Sequence, residues 1–337
     1  MSLPQRKIGP FSVSAIGLGC MNLSHAYGAR PAEEDAVALL NHALDLGCNF
    51  LDTAALYGLG KNEELLGRGI MDRRNEFTLA SKCVLDYRDG ERILDGRPET
   101  IRKTLDEALL RLRTDVIDLY YLHRLDRNVP IEDSVGTLAD GVQQGKIRAI
   151  GLSEMSAATI RRAHATHPVT AVQSEYSPCV RNIEIGVVRA CRDLGIAIVP
   201  FSPVARGLLA DGIQDDHYVE GDIRHGMPRF VEPQLGHNLK AVARFNTLAA
   251  EAGCTPAQLS LAWILAKGED MVPIPGTRSI AHLEENLRAV DVRLNEDMIA
   301  RIEGIFTPEA IRGNRYAPAI QAQIDTEMFD HELEGAQ

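Results

Sequence analysis

Short apolar runs alternate with amphipathic stretches along nearly the whole chain. Residues 15–19 read as a first strand. A helix over 32–46 follows, with Val37, Leu40 and Leu44 at helical spacing and Gly47 as its stop. The same rhythm predicts strands at 49–54, 77–82, 117–123, 147–153, 170–176, 197–203 and 271–276. It predicts further helices at 63–71, 98–113, 131–144, 157–165, 185–194, 239–252, 256–266, 280–290 and 295–305. Pro98 stands where a first helical turn tolerates proline. Ahead of the first strand, residues 6–14 read as a small hairpin around Gly9-Pro10, short enough to plug the bottom of a barrel.

Eight strand–helix units in succession imply an all-parallel sheet closed on itself. The expected fold is α/β: a (β/α)8 TIM barrel with a short N-terminal β-hairpin and a long loop after strand 7. The whole chain, 1–337, reads as one domain, with an insertion at 204–238 and a weakly periodic tail at 307–337. The insertion, rich in Gly, Asp and His, is expected to fold over a ligand. A doubly wound open sheet would need a Gly-x-Gly-x-x-Gly turn between a strand and its helix. Gly17 and Gly19 begin such a turn, but Cys20-Met21-Asn22-Leu23 supplies no third glycine.

Composition narrows the function. A net charge of −11 with no block of Lys or Arg argues against nucleic acid or an anionic membrane as partner. No apolar stretch is long enough to span a bilayer, and the first residues lack the order of a signal peptide. The six scattered cysteines form no Cys-x-x-Cys pair and read as reduced thiols, so a cytoplasmic location is expected. Cys83 follows Lys82 in a strand and should point away from it. His164 and His167 near one helix end read as solvent-facing, and no metal site is expected. His217, His225 and His237 lie in the insertion. His25 and Tyr27, past strand one, are candidates to line a substrate pocket.

Chemistry gathers at the strand tips. Asp52 and Lys82 end the second and third strands, His123 ends the fourth, and Tyr57 follows Asp52 after a short turn. In a parallel barrel these tips share one face. An acid, a phenol, an ammonium and an imidazole then form a site for proton transfer. Each residue alone has a bland reading as a cap, a rim aromatic or a solvated strand end. The four in consecutive units do not.

These residues, with their neighbours, resemble the aldo-keto reductase superfamily. The matching pieces are Gly17-Leu18-Gly19-Cys20-Met21, residues 52–58, Ala80-Ser81-Lys82, Leu112 with residues 114–123, and residues 145–153. Phe201-Ser202-Pro203, residues 274–278 and residues 283–286 complete the series, in family order. The insertion, with residues 223–230, is similar to the bacterial and plant branch of NADPH-dependent aldo/keto reductases. The resemblance implies reduction of an aldehyde or ketone to an alcohol, with NADPH/NADP+ extended across the C-terminal face of the barrel. It implies Tyr57 as the general acid, with Lys82 lowering the phenol pKa from its ordinary ~10, Asp52 fixing Lys82, and His123 orienting the substrate oxygen. It implies Ser153 and Gln173 at the nicotinamide carboxamide and Phe201 against the nicotinamide ring. Ser202, Pro203, Val204 and Gly207 would follow the pyrophosphate, with Gly276, Thr277, Arg278 and Ser279 at the next helix N-terminus. Glu285 and Asn286 match the adenine end. Two positions depart from many relatives: Glu154, where they carry Asn, and His282, where they carry Arg.

Two other classes share this pattern. A cofactor-binding regulatory subunit resembling potassium-channel β-subunits keeps the same four residues. A Schiff-base aldolase would use Lys82 as nucleophile, but Asp52 beside it keeps the amine charged. The implied partner is a small carbonyl compound, and the sequence leaves a homo-oligomer open.

Overall fold

The computed structural model describes residues 3–88, 90–210 and 212–334; Asp211 of the insertion and the last three residues of the tail lie outside them. The chain begins with an antiparallel hairpin, β1 (Gln5–Ile8) and β2 (Phe11–Ser14). Then come β3 (Leu18–Gly19), α1 (Glu33–Asp45), β4 (Phe50–Asp52), α2 (Lys61–Gly69) and β5 (Thr78–Cys83). A second hairpin, β6 (Leu85–Arg88) and β7 (Glu91–Leu94), precedes α3 (Pro98–Leu112). The alternation resumes with β8 (Ile117–Leu122), α4 (Ile131–Gln143), β9 (Ile147–Ser153), α5 (Ala157–Thr166), β10 (Val169–Glu175), α6 (Val187–Leu194) and β11 (Ala197–Phe201). Helices α7 (Gln234–Glu251), α8 (Pro256–Ala266), α9 (Ile280–Arg288) and α10 (Glu296–Ile305) follow, and two short helices, α11 (Pro318–Gln321) and α12 (Asp330–Glu334), lie in the tail.

Seven strands run parallel in the order β11-β10-β9-β8-β5-β4-β3. The expected eighth strand closes the barrel without forming a regular ladder. Val272 and Ile274 donate to Ile198 and Pro200 on one side, while Gly17 and Gly19 donate to Pro273 and Pro275 on the other. Pro273 and Pro275 have no N–H to return, so the seam with β3 is bonded in one direction only. The architecture is the expected (β/α)8 barrel.

The interior is filled by Phe50, Leu119, Tyr121, Val199, Val272 and Ile274 interleaved with Ala80, Ala149, Ala171 and Ala197. Ile8 and Val13 of the first hairpin are fully buried in this same cluster, so the hairpin plugs the bottom as expected. Gly151 makes room for one large ring: a Cβ there would lie 2.3 Å from Tyr121. The larger core layer lies between the strands and the helices, and Cys83 belongs to it while Lys82 points inward. Helix α7 begins at Gln234, five residues before the sequence pattern places it. Among the described residues no helix is long and apolar enough to cross a membrane.

Candidate active site

Asp52 is the last residue of β4, and Lys82 stands one residue before the end of β5. His123 comes directly after β8, its N–H donating to the Cys83 carbonyl at 3.1 Å. Tyr57 reaches the same place through a tight turn. Its N–H donates to Ala54, Gly60 donates to Ala55, and Asn62 ties the turn to Thr53, Cys20 and Ser24. Gly58 has φ +61°, and a Cβ there would lie 3.0 Å from the Ser24 carbonyl. Glycine suits both demands.

The four side chains meet. Lys82 Nζ lies 2.5 Å from Asp52 Oδ1, 2.8 Å from the Thr53 carbonyl and 3.1 Å from the Tyr57 hydroxyl, and it is 0% exposed. Gln173 Nε2 donates to the other Asp52 oxygen at 2.7 Å. The His123 ring stands nearly perpendicular to the Tyr57 ring, with centroids 5.9 Å apart. Its Nδ1 is buried without a partner among the described residues. Behind Lys82, the fully buried Glu63 accepts from Ser81 and Arg111 at 2.5 and 2.7 Å, anchoring β5 to α2 and α3.

Burial dominates the electrostatics. It pushes the Asp52 carboxyl up against the pull of Lys82, while Asp52 and Tyr57 together hold the Lys82 ammonium above its ordinary value despite burial. The His123 imidazole is driven well below its usual range by burial and then by Arg124, Lys82, Arg92 and His25. The expected lowering of Tyr57 is corrected. Burial raises the phenol, and the Lys82 ammonium offsets only part of that rise. A charged neighbour does lower a phenol pKa, but a hydroxyl taken out of water loses more.

Asp52, Tyr57 and His123 line a cavity of about 560 Å³; Lys82 sits behind it. Of the expected cofactor positions, Ser153, Gln173, Phe201, Ser202, Pro203, Val204, Gly207, Gly276, Thr277, His282, Glu285 and Asn286 line this same cavity. Arg278 and Ser279 do not. Arg278 Nη1 donates to the Ala29 carbonyl, and Ser279 caps α9 by accepting from the His282 N–H. His25 and Tyr27 are in the lining, as expected, and Ile223, Arg224 and Met227 of the insertion join them.

Glu154 has another place. It is fully buried, and its carboxylate accepts from Arg315, Thr326 and the Glu175 N–H. It therefore ties the tail to the ends of β9 and β10. The sequence reading missed Arg92, Arg124, Arg206 and Tyr316, all in the lining. Arg124 adjoins a strand-end histidine, which was a usable signal. Arg92 lies on a hairpin whose Asp-Gly pair at 89–90 is a turn signal in the sequence. Tyr316 comes from the aperiodic tail and carried none.

A closed parallel barrel with an acid, an amine, a phenol and an imidazole at its strand tips defines a class of barrel oxidoreductase. Residues 15–306 match the model of the Aldo/keto reductase family, and the chain belongs to that family. It is similar to the Schizosaccharomyces pombe protein named aldo-keto reductase yakc, NADP(+): 45% identical over 333 residues, covering 96% of this chain and 97% of that one. Among solved structures, the glycerol dehydrogenase AKR11B4 of Gluconobacter oxydans shares the fold with a TM-score of 0.82 at 24% identity, covering 98% and 99% of the two chains. An aldo/keto reductase of Klebsiella pneumoniae, solved with NADP and acetate, matches at a TM-score of 0.68 and 26% identity, covering 90% of this chain and 95% of that one.

Proposed function

We propose that this protein reduces aldehydes or ketones to alcohols with NADPH, with Tyr57 as the general acid. The observation that carries the reading is the buried chain Asp52–Lys82–Tyr57 ending in the cavity opposite His123. The family and the NADP(+) in the name of a 45% identical relative support it.

The cavity fits such a cofactor. One continuous space of about 560 Å³ touches both Tyr57 and His282 in the first turn of α9. His123 and Arg206 are among its lining residues, and among the described residues His123 Nδ1 and Arg206 Nε have no hydrogen-bond partner. Ser202 through Gly207 and Gly276-Thr277 bring backbone close to where phosphates would lie, and α9 presents its N-terminus there. Ser153 and Gln173 would hold the carboxamide, Phe201 would stack on the ring, and Glu285 and Asn286 would meet the adenine.

When bound, NADPH supplies the hydride for the carbonyl carbon. The remaining chemistry belongs to the chain. As charge develops on the carbonyl oxygen, the Tyr57 hydroxyl gives it a proton. The resulting phenolate is stabilised by the Lys82 ammonium 3.1 Å away, which Asp52 and the Thr53 carbonyl hold in place. His123 is held neutral by burial, so its imidazole N–H donates to the oxygen without competing as an acid. The raised Lys82 pKa keeps that amine protonated, which disfavours Schiff-base chemistry.

Loss of NADPH absorbance over a panel of aromatic, aliphatic and dicarbonyl substrates tests the reading. Turnover of several is expected. Tight NADPH binding with no turnover across the panel would favour a regulatory cofactor-binding role instead.

A further inference from the structure

Two guanidiniums stand at the proton-transfer end of the cavity, and among the described residues no carboxylate pairs with either. Arg124 follows His123 and is only 6% exposed. Its Nη1 donates to the His123 carbonyl at 2.6 Å and to the Ser153 hydroxyl at 3.2 Å, and its Nε is buried without a partner among the described residues. Arg92, on β7, lines the same cavity, and its Nε is likewise buried and unpartnered among the described residues. Among the described residues neither arginine forms an ion pair with Asp or Glu. Burial, and then the charge of Arg124, push the Arg92 guanidinium down to about 10.

The surrounding charges are already satisfied. Arg206 and Arg224, also in the lining, are paired with Glu175 at 3.1 Å and Asp222 at 2.7 Å. Asp52 is held by Lys82. His25 and His123 are both driven toward their neutral forms by burial and neighbouring cations. This end of the site therefore carries two like charges in a low-dielectric wall, in a chain whose net charge is −11. Such an arrangement is unfavourable on its own and becomes favourable when an anion enters. The cofactor phosphates are not that anion in the pose above, because they follow the loops after β11 and after residue 276. Arg92 and Arg124 instead act on Tyr57 and His123.

We infer that the substrate carries an anionic group, carboxylate or phosphate, beside its carbonyl, and that Arg92 and Arg124 bind it while the carbonyl oxygen faces Tyr57 and His123. Guanidinium forks match either anion through paired hydrogen bonds. The anion is a spectator: the carbonyl gains a hydride and the Tyr57 proton, and no bond to the anionic group changes. The inference rests on the reductase reading above.

Matched pairs test it: 4-formylbenzoate against its methyl ester, and glyceraldehyde 3-phosphate against glyceraldehyde. At least one charged member is expected to exceed its neutral partner by about tenfold or more in kcat/KM, mainly through KM. Which pair shows it separates carboxylate from phosphate. Arg92→Gln should bring that ratio close to one, and Arg92→Lys should restore part of it. A wild-type enzyme that favours both neutral members, or a ratio unchanged by Arg92→Gln, overturns the inference. A second readout is independent of turnover: calorimetric titration of the enzyme–NADP+ complex with 4-formylbenzoate and with glyceraldehyde 3-phosphate. Weakening of either by about tenfold in Arg92→Gln, without turnover of any substrate, would keep the anion site and remove the reductase reading. Unchanged binding of both would remove the anion site.

Discussion

Burial lifts the Tyr57 phenol above its ordinary value even with Lys82 beside it. The two directions of the reaction should then part with pH. Reduction needs the protonated phenol, which is present at neutral pH and lost only as pH rises through the raised pKa. Alcohol oxidation needs the phenolate, which grows with pH up to that same point. Reduction is expected to be nearly flat from about pH 6 to 9, while oxidation climbs on the order of tenfold per unit. Initial rates in both directions across that range check this; an oxidation rate flat below pH 8 would contradict it. A second residue, Arg278, bears on cofactor choice. The rival partners Glu284 and Glu285 are taken up by His42, Arg288 and Thr255, and among the described residues Arg278 bonds only the Ala29 main-chain carbonyl. Its charge is therefore available for the adenosine 2′-phosphate. Arg278→Ala should cut a preference for NADPH over NADH by roughly ten- to a hundredfold, read from both dissociation constants.

At the level of elements, the barrel interior sets where the site can form. Tyr121 fills the space left by Gly151, and Lys82 pairs in register with Tyr121. Gly151→Ala drives a methyl group into that ring, and overpacking of this kind costs about 1–3 kcal/mol. Denaturant unfolding should show the loss; an unchanged midpoint would mean the ring moves freely. Periodicity placed most strands and helices because helices such as α1, α3 and α4 each bury one apolar stripe against the strands. It failed where that logic lapses. Residues 271–276 keep strand geometry, but two prolines remove the ladder on one side. The β6–β7 hairpin escaped notice because Asp86, Tyr87 and Glu91 are exposed and Arg92 to Leu94 only partly covered, so apolar alternation is faint.

Across the whole molecule, the tail is bound to the strand tips by buried charge. Arg315 and Glu154 are both 0% exposed and lie 3.2 Å apart, and Tyr316 bonds Arg206 and Glu175 at the cavity wall. Arg315→Met leaves the Glu154 carboxylate buried without its cation, a change that typically costs about 3–5 kcal/mol. A shift in thermal unfolding with weaker cofactor binding is expected, whereas a wild-type midpoint would show that the tail adds nothing. The four strand-tip residues were legible from sequence because strand ends in a parallel barrel converge by geometry. Arg92 and Tyr316 were not, since they reach the cavity from a hairpin and a tail whose paths no periodicity records.

The central claim is that Tyr57 delivers the proton. The direct measurement is Tyr57→Phe, assayed for single-turnover carbonyl reduction and for NADPH binding on the same preparation. Reduction should fall by at least ~10²-fold while the NADPH dissociation constant stays within a few-fold of wild type. Reduction within a few-fold of wild type would show that another group supplies the proton.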